Sequence, residues 1–271
     1  MGRVDRFVYL NGEIVGRAEV GQSAFSSAVL YGKGVFTTIS IIDSAPFLWS
    51  KHWRRLTVNA EKTGIDLSDH SEASIRKALE GLVAANTTTD GRARVTFFDE
   101  GPSSIWFGEN KGKTTVSIIT APTHTVVDNL RLTISPYPVN SRSPFAGIKS
   151  CNYLENILAI EEAKGRGFDE AVRVNEKGIV AGGCMANLFW LRDGRHFTPS
   201  LSTGCLPGTT REFVLENVEC DEVEAGIGEI ENADAVFLTS AGLGVVASAE
   251  FNSRRLPPTD HRILRLIKET N

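Results

Sequence analysis

Apolar residues along this chain change their spacing from two to about 3.6 and back, once before residue 120 and again after residue 130. Residues 7–15 alternate apolar and polar around Asn11-Gly12, and such a dipeptide between two short alternating runs predicts a tight hairpin. From Ser50 to Thr63 the spacing becomes helical, with Trp53, Leu56 and Ala60 set among basic and polar neighbours. A second helix is predicted from Ser71 to Ala85, where Ile75, Ala78, Leu79, Leu82 and Val83 share one stripe. Gly91 breaks that pattern, and strand-like runs follow at 93–98 and 114–120. Residues 121–128 carry Pro122 and lack periodicity. We therefore expect an N-terminal domain over 1–120, a linker over 121–129 and a C-terminal domain over 130–271.

The second block opens with a predicted strand at 130–136 and an irregular stretch over 140–147, rich in Ser, Pro and Gly, that delivers the chain to Ile148-Lys149. A helix from Asn152 to Lys164, ended by Gly165 and Gly167, precedes strands at 170–174 and 189–191. A helix at 210–218, a strand at 235–239 and a terminal helix at 261–269 complete the pattern. Strands and helices mixed in both blocks predict two α+β domains.

Charge and composition narrow the functions. A formal net charge of -4 and a pI near 5.8 do not supply the concentrated basic face that nucleic-acid binding needs, and suit a small anionic or neutral metabolite. No run approaches the roughly 20 apolar residues that span a bilayer, and the first residues lack the apolar core of a secretion signal, so a cytoplasmic protein without membrane contact is expected. Cys151, Cys184, Cys205 and Cys220 stand singly, without a C-x-x-C pair, and are expected to be reduced thiols. His52, His70, His124, His196 and His261 show no ligand spacing, so no metal site is expected.

Three segments could carry chemistry. In SPFAGIKSCNYLEN, Lys149 is flanked by Ala146, Gly147, Ile148 and Cys151. Small and apolar neighbours desolvate an amine and lower its pKa, and a neutral amine is what condensation with an aldehyde requires; a solvated surface lysine is the common alternative. In GCLPGTTREFVLENV, Gly208, Thr209 and Thr210 open a helix whose first-turn N–H groups form an anion site. Thr209-x-x-Glu212 is equally readable as a capping box with no ligand. His52-x-x-Arg55 places two polar groups on one helical face, and arginine is shaped to grip phosphate, although surface positions of this kind usually carry no ligand. Gly242-x-Gly244-x-x-Ala247 fits a loose dinucleotide fingerprint but leaves too little chain for the rest of that unit.

Five motifs in this order, YGKGVFTTI near residue 31, His52-x-x-Arg55-Leu56, GIKSCNYLEN, GGCMANLFW and LPGTTR, together resemble class IV aminotransferases, the fold-type IV pyridoxal-phosphate enzymes. That family includes branched-chain aminotransferases, D-amino acid transaminases and aminodeoxychorismate lyases. The resemblance covers nearly the whole chain. It implies an α+β fold with a small N-terminal domain and a larger C-terminal domain built on a β-barrel-like core, and a homodimer. By the same resemblance Lys149 forms the internal aldimine with pyridoxal 5'-phosphate and shuttles the proton at the substrate's α-carbon. Arg55 and the backbone N–H groups of Thr209 and Thr210 hold the cofactor phosphate, with main-chain contacts from Ser240 and Ala241. Tyr153 is similar to the tyrosine that branched-chain enzymes place near the cofactor hydroxyl. Tyr31 faces the substrate, and Arg94 is a candidate for its carboxylate.

Two positions depart from the family pattern. Gly182 stands where members usually carry a glutamate that keeps the pyridine nitrogen protonated, and Lys33 stands where an aspartate is common. Without that carboxylate the cofactor ring is a poorer electron sink. The implied activity is transfer of an amino group between an amino acid and a 2-oxo acid. The alternatives are a lyase-like enzyme that releases pyruvate and an impaired cofactor-binding homologue.

Overall fold

A computed structural model of the chain describes residues 5–21, 26–101, 112–123 and 130–269. The chain divides into two compact units, residues 1–125 with 148–152, and residues 126–147 with 153–271. From residue 124 onward, the linker expected over 121–129 lies outside the described residues.

The first unit begins with β1 (Phe7–Leu10) and β2 (Glu13–Gly16). Asn11 and Gly12 turn between them with φ of 45° and 108°, the positive values that the predicted hairpin turn requires. Next come α1 (Ser27–Tyr31), β3 (Gly34–Ile42), β4 (Ala45–Pro46), α2 (Trp49–Thr63) and α3 (Glu72–Ala85). Gly64 ends α2 at φ 66°, and the Ser71 hydroxyl caps α3 by accepting from Ser74 N–H at 3.2 Å. Strands β5 (Gly91–Asp99) and β6 (Thr114–Pro122) close the unit. Gly91 opens β5 rather than separating it from α3, because a Cβ there would meet Thr88 Cγ2 at 2.6 Å and Ala121 O at 2.8 Å. The six strands form one antiparallel sheet in the order β2-β1-β6-β5-β3-β4. Leu56, Ala60, Ile75, Leu79 and Leu82 from the two long helices pack on Ile39, Ile41, Val95, Phe97 and Ile118 of the sheet, the face that the helical stripes predicted.

The second unit runs through β7 (Leu130–Ile134), α4 (Leu154–Gly165), β8 (Glu170–Val174), β9 (Val180–Gly183), β10 (Asn187–Arg192) and β11 (Arg195–Pro199). It continues with α5 (Thr209–Asn217), β12 (Cys220–Val223), α6 (Ile227–Glu231), β13 (Ala235–Ser240), β14 (Gly244–Phe251), β15 (Arg254–Arg255) and α7 (Leu266–Glu269). The strand order is β12-β11-β10-β13-β14-β7-β8-β9, with β15 on β14. The sheet curls until β9 returns against β10 and β11, enclosing Leu132, Val172, Val180, Leu188, Trp190, Val236 and Leu238. This is the barrel-like core expected. The last helix is shorter than predicted over 261–269: a 3-10 turn at Arg262–Leu264 precedes α7. Gly244 continues the β13–β14 hairpin, paired with Ser240, which places the glycine run of 242–247 in a hairpin and not before a nucleotide-binding helix. All four cysteines are free thiols.

Candidate active site

In the first unit the chemistry gathers on β3. Only at its far end does β3 pair with β4, and the edge at residues 34–36 is taken by the short return segment 149–151. Phe36 N–H donates to Lys149 O at 2.9 Å, and Cys151 N–H donates to Gly34 O at 2.8 Å. Glycine is required at 34, since a Cβ would lie 2.9 Å from Cys151 Sγ and 3.0 Å from Phe97 O. Two backbone hydrogen bonds thereby fix the Lys149 backbone, and its Nζ stands 4.5 Å from the Phe36 ring centroid.

Lys149 keeps part of its surface as a residue, but its amine is enclosed by protein. That burial, followed by the charges of Arg55 and Arg94, carries its pKa down to about 7. Arg94, on β5, lays its guanidinium 3.5 Å from the Phe36 centroid. Arg55, on α2, donates through Nη2 to Thr37 Oγ1 at 2.8 Å. One turn earlier His52 is buried. Burial, then Arg55 and Lys149, push its pKa well below the ordinary value. Lys149, Arg55 and Arg94 are thus brought together. Tyr31, at the end of α1, is exposed. Lys33 pairs with Asp99 at 2.9 Å; although burial opposes ionisation of Asp99, Lys33 and the N–H groups of Lys113 and Gly101 hold its pKa below the usual carboxylate range.

In the second unit a different group converges on Asn187. This residue pairs with Thr239 across β10 and β13, and Ser240 ends β13 one residue further on, paired with Gly244. Its Nδ2 donates to Leu206 O at 2.8 Å. Gly208 lies so close beneath that an added Cβ would collide with Asn187 Oδ1. The side chain of Asn187 therefore holds the turn that aims α5. Thr209 and Thr210, both buried, form the first turn of α5. The N-cap is Gly208, which has no side chain to cap the turn. Thr209 is thus the first helical residue and not the N-cap that a Thr209-x-x-Glu212 capping box requires.

Gly182 is buried on β9 at φ 149°. It brings no carboxylate, and directly across the strand pair stands Arg173, whose side chain is 3% exposed and pairs with Glu155 at 2.6 Å. Next to it, Glu170 accepts from the N–H groups of Ala171, Cys184 and Met185 at 2.9, 2.9 and 3.0 Å and so shapes the turn from Gly183 to Asn187. Tyr153 precedes the first residue of α4 and is half-buried. Asn187, Phe36, Thr37 and Glu170 were not among the residues predicted to form the site. Asn187, Phe36 and Thr37 lie inside quoted motifs, whereas nothing local marks Glu170.

In the first unit, the enclosed amine with its pKa carried down to about 7 fits condensation with an aldehyde; in the second, taken by itself, the start of α5 on Gly208 is of the kind that suits a phosphate. The fold is that of the fold-type IV aminotransferases. It matches a branched-chain aminotransferase from Thermoproteus uzoniensis, solved with norvaline, at a TM-score of 0.90 and 27% identity, over 98% of this chain and 93% of that one. Residues 34–251 match the model of the family described as amino-transferase class IV, and the chain belongs to that family. A Methanocaldococcus jannaschii protein provisionally named a branched-chain-amino-acid aminotransferase is 30% identical over 91% of this chain and 88% of its own. The aminodeoxychorismate lyase of Bacillus subtilis is 29% identical over 88% and 84% respectively.

Proposed function

We propose that the chain is a pyridoxal 5'-phosphate-dependent aminotransferase that moves an amino group between an amino acid and a 2-oxo acid. The observation that carries this reading is the enclosed Lys149 amine, held near neutrality beside two arginines. The cofactor supplies an aldehyde to capture amines and a ring to draw electrons from the α-carbon. Lys149 holds the cofactor and then carries the proton to and from the α-carbon. The phosphate is taken by Arg55, by the N–H groups of Thr209 and Thr210, and by the main chain of Ser240 and Ala241. Tyr153 faces the cofactor hydroxyl, Tyr31 lines the substrate side, and Arg94 binds a substrate carboxylate. The enzyme acts as a homodimer in the cytoplasm, with residues 121–129 joining its two domains; light scattering on the purified chain tests the dimer.

The test is an absorbance spectrum of purified protein with and without Lys149→Ala. A yellow, borohydride-reducible chromophore is expected in the wild type and not in the variant. A wild type that stays colourless with added cofactor overturns the reading. A lyase-like reaction is the second reading, favoured by the FTT at residues 36–38, by GCMANLFW and by the Bacillus subtilis relative. Pyruvate formed from a single substrate with no oxo-acid acceptor selects it. A bound chromophore that no amino acid changes points to an impaired homologue.

A further inference from the structure

We propose that Thr37 is a positioning residue, whose hydroxyl fixes the tautomer of His52 and aims the guanidinium of Arg55. Thr37 is fully buried on β3, one residue after Phe36 and so on the opposite, helix-facing side of the sheet. Its Oγ1 lies 2.7 Å from His52 Nδ1 and receives Arg55 Nη2 at 2.8 Å. A hydroxyl has one proton to give, and a guanidinium can only donate. Of these two partners only His52 Nδ1 can take the Thr37 proton, which makes Nδ1 the bare nitrogen of a neutral ring that carries its own proton on Nε2. A protonated Nδ1 would become a second donor to Oγ1 and leave the buried hydroxyl proton with neither partner to receive it. Arg55 and Lys149 also face His52, and both oppose a further positive charge.

One polar atom in an apolar layer thus ties α2 to β3 at the two positions, 52 and 55, where the helix turns toward the sheet. Removing the buried hydroxyl takes one hydrogen bond from each of His52 and Arg55. The consequence for the cofactor rests on the functional reading above, in which Arg55 takes the phosphate: the bond from Thr37 helps to orient the guanidinium beforehand, and without it more of that ordering falls to cofactor binding.

Thr37→Val keeps the shape and deletes the hydroxyl, and Thr37→Ser keeps the hydroxyl. In the 15N spectrum of the cofactor-free chain, wild type and Thr37→Ser are expected to show His52 with a bare Nδ1 and a protonated Nε2. Thr37→Val is expected to show a mixture of tautomers. The dissociation constant for pyridoxal phosphate should rise roughly ten- to a hundredfold in Thr37→Val and return to near the wild-type value in Thr37→Ser. A wild-type His52 that carries its proton on Nδ1, or a valine variant with unchanged His52 signals and unchanged cofactor affinity, overturns the proposal. Were the wild type to bind no pyridoxal phosphate, the functional reading would fall, and the His52 signals of the unloaded chain would still decide on Thr37.

Discussion

Lys149 Nζ stands 4.5 Å from the centroid of the Phe36 ring, an apolar face in place of the water that an ammonium needs. Burial is the largest influence on its pKa, and the nearby arginines add to it. The amine is therefore mostly neutral above pH 7, where an ordinary lysine is charged. Its reaction with a simple aldehyde in the cofactor-free chain is expected to slow about tenfold per pH unit below about 7 and to level off above it. The depressed pKa also has a stability consequence. Between about 7 and the ordinary 10.5 the unfolded chain binds more protons at this lysine than the folded one, so stability rises with pH across that window. Denaturant titrations of the wild type and Lys149→Met should show this rise in the wild type alone.

Arg55 is the second influence on the Lys149 amine after burial. Arg55→Leu removes a positive neighbour, so the inflection of the aldehyde reaction is expected to move above 7. Loosened packing and lost repulsion both raise this pKa, so an upward shift is expected from either. Affinity for pyridoxal phosphate should fall in the same variant. An unmoved inflection would show that the arginine charge does not reach the amine.

How much of this was legible in sequence depends on whether the signal is local. The hairpin at Asn11-Gly12 and the helix from residue 72 were readable, because turn φ values and a helical stripe are set by neighbours in the chain. Strand β3 was missed: its first four residues are buried on both faces, so no alternation marks where it begins. The lysine was found through its motif and its small neighbours. That residues 149–151 return to pair with residues 34–36 is a tertiary fact with no periodicity to betray it. Thr37 escaped for a related reason, since a threonine suits any strand and gains its meaning only when α2 brings His52 and Arg55 over it. The anion reading of Thr209 and the capping reading were equal in sequence, and only the structure shows that the N-cap is Gly208 and not Thr209.

Gly208→Ala tests the Asn187 cradle. The added methyl would occupy the position of Asn187 Oδ1, so the asparagine must leave Leu206 O, its partner at 2.8 Å. A loss of about 1–3 kcal/mol is expected in a denaturant titration, together with weaker cofactor binding, because the turn that aims the first N–H groups of α5 is no longer held. Asn187→Ala combined with Gly208→Ala should recover part of the stability and little of the cofactor affinity. Full recovery of both would show that Asn187 fills space without positioning the helix start.

Gly182 and Arg173 face each other across β8 and β9, and substitutions at that pair separate backbone strain from charge. At φ 149° a side chain is strained even though a Cβ would meet nothing nearer than Ala186 O at 3.4 Å. Gly182→Ala is expected to cost about 1–3 kcal/mol for that reason alone. Gly182→Glu adds a carboxylate in a buried setting, but on the same face as a guanidinium that is itself 3% exposed. It should therefore cost little more than the alanine. In an Arg173→Leu background the same glutamate loses its counter-charge, and a further loss of about 3–5 kcal/mol is expected. Equal costs in the two backgrounds would mean that the guanidinium, already held by Glu155, does not reach the new carboxylate. Amino transfer measured in Gly182→Glu then reports on the chemistry: a faster half-reaction is expected where the added carboxylate meets the cofactor ring.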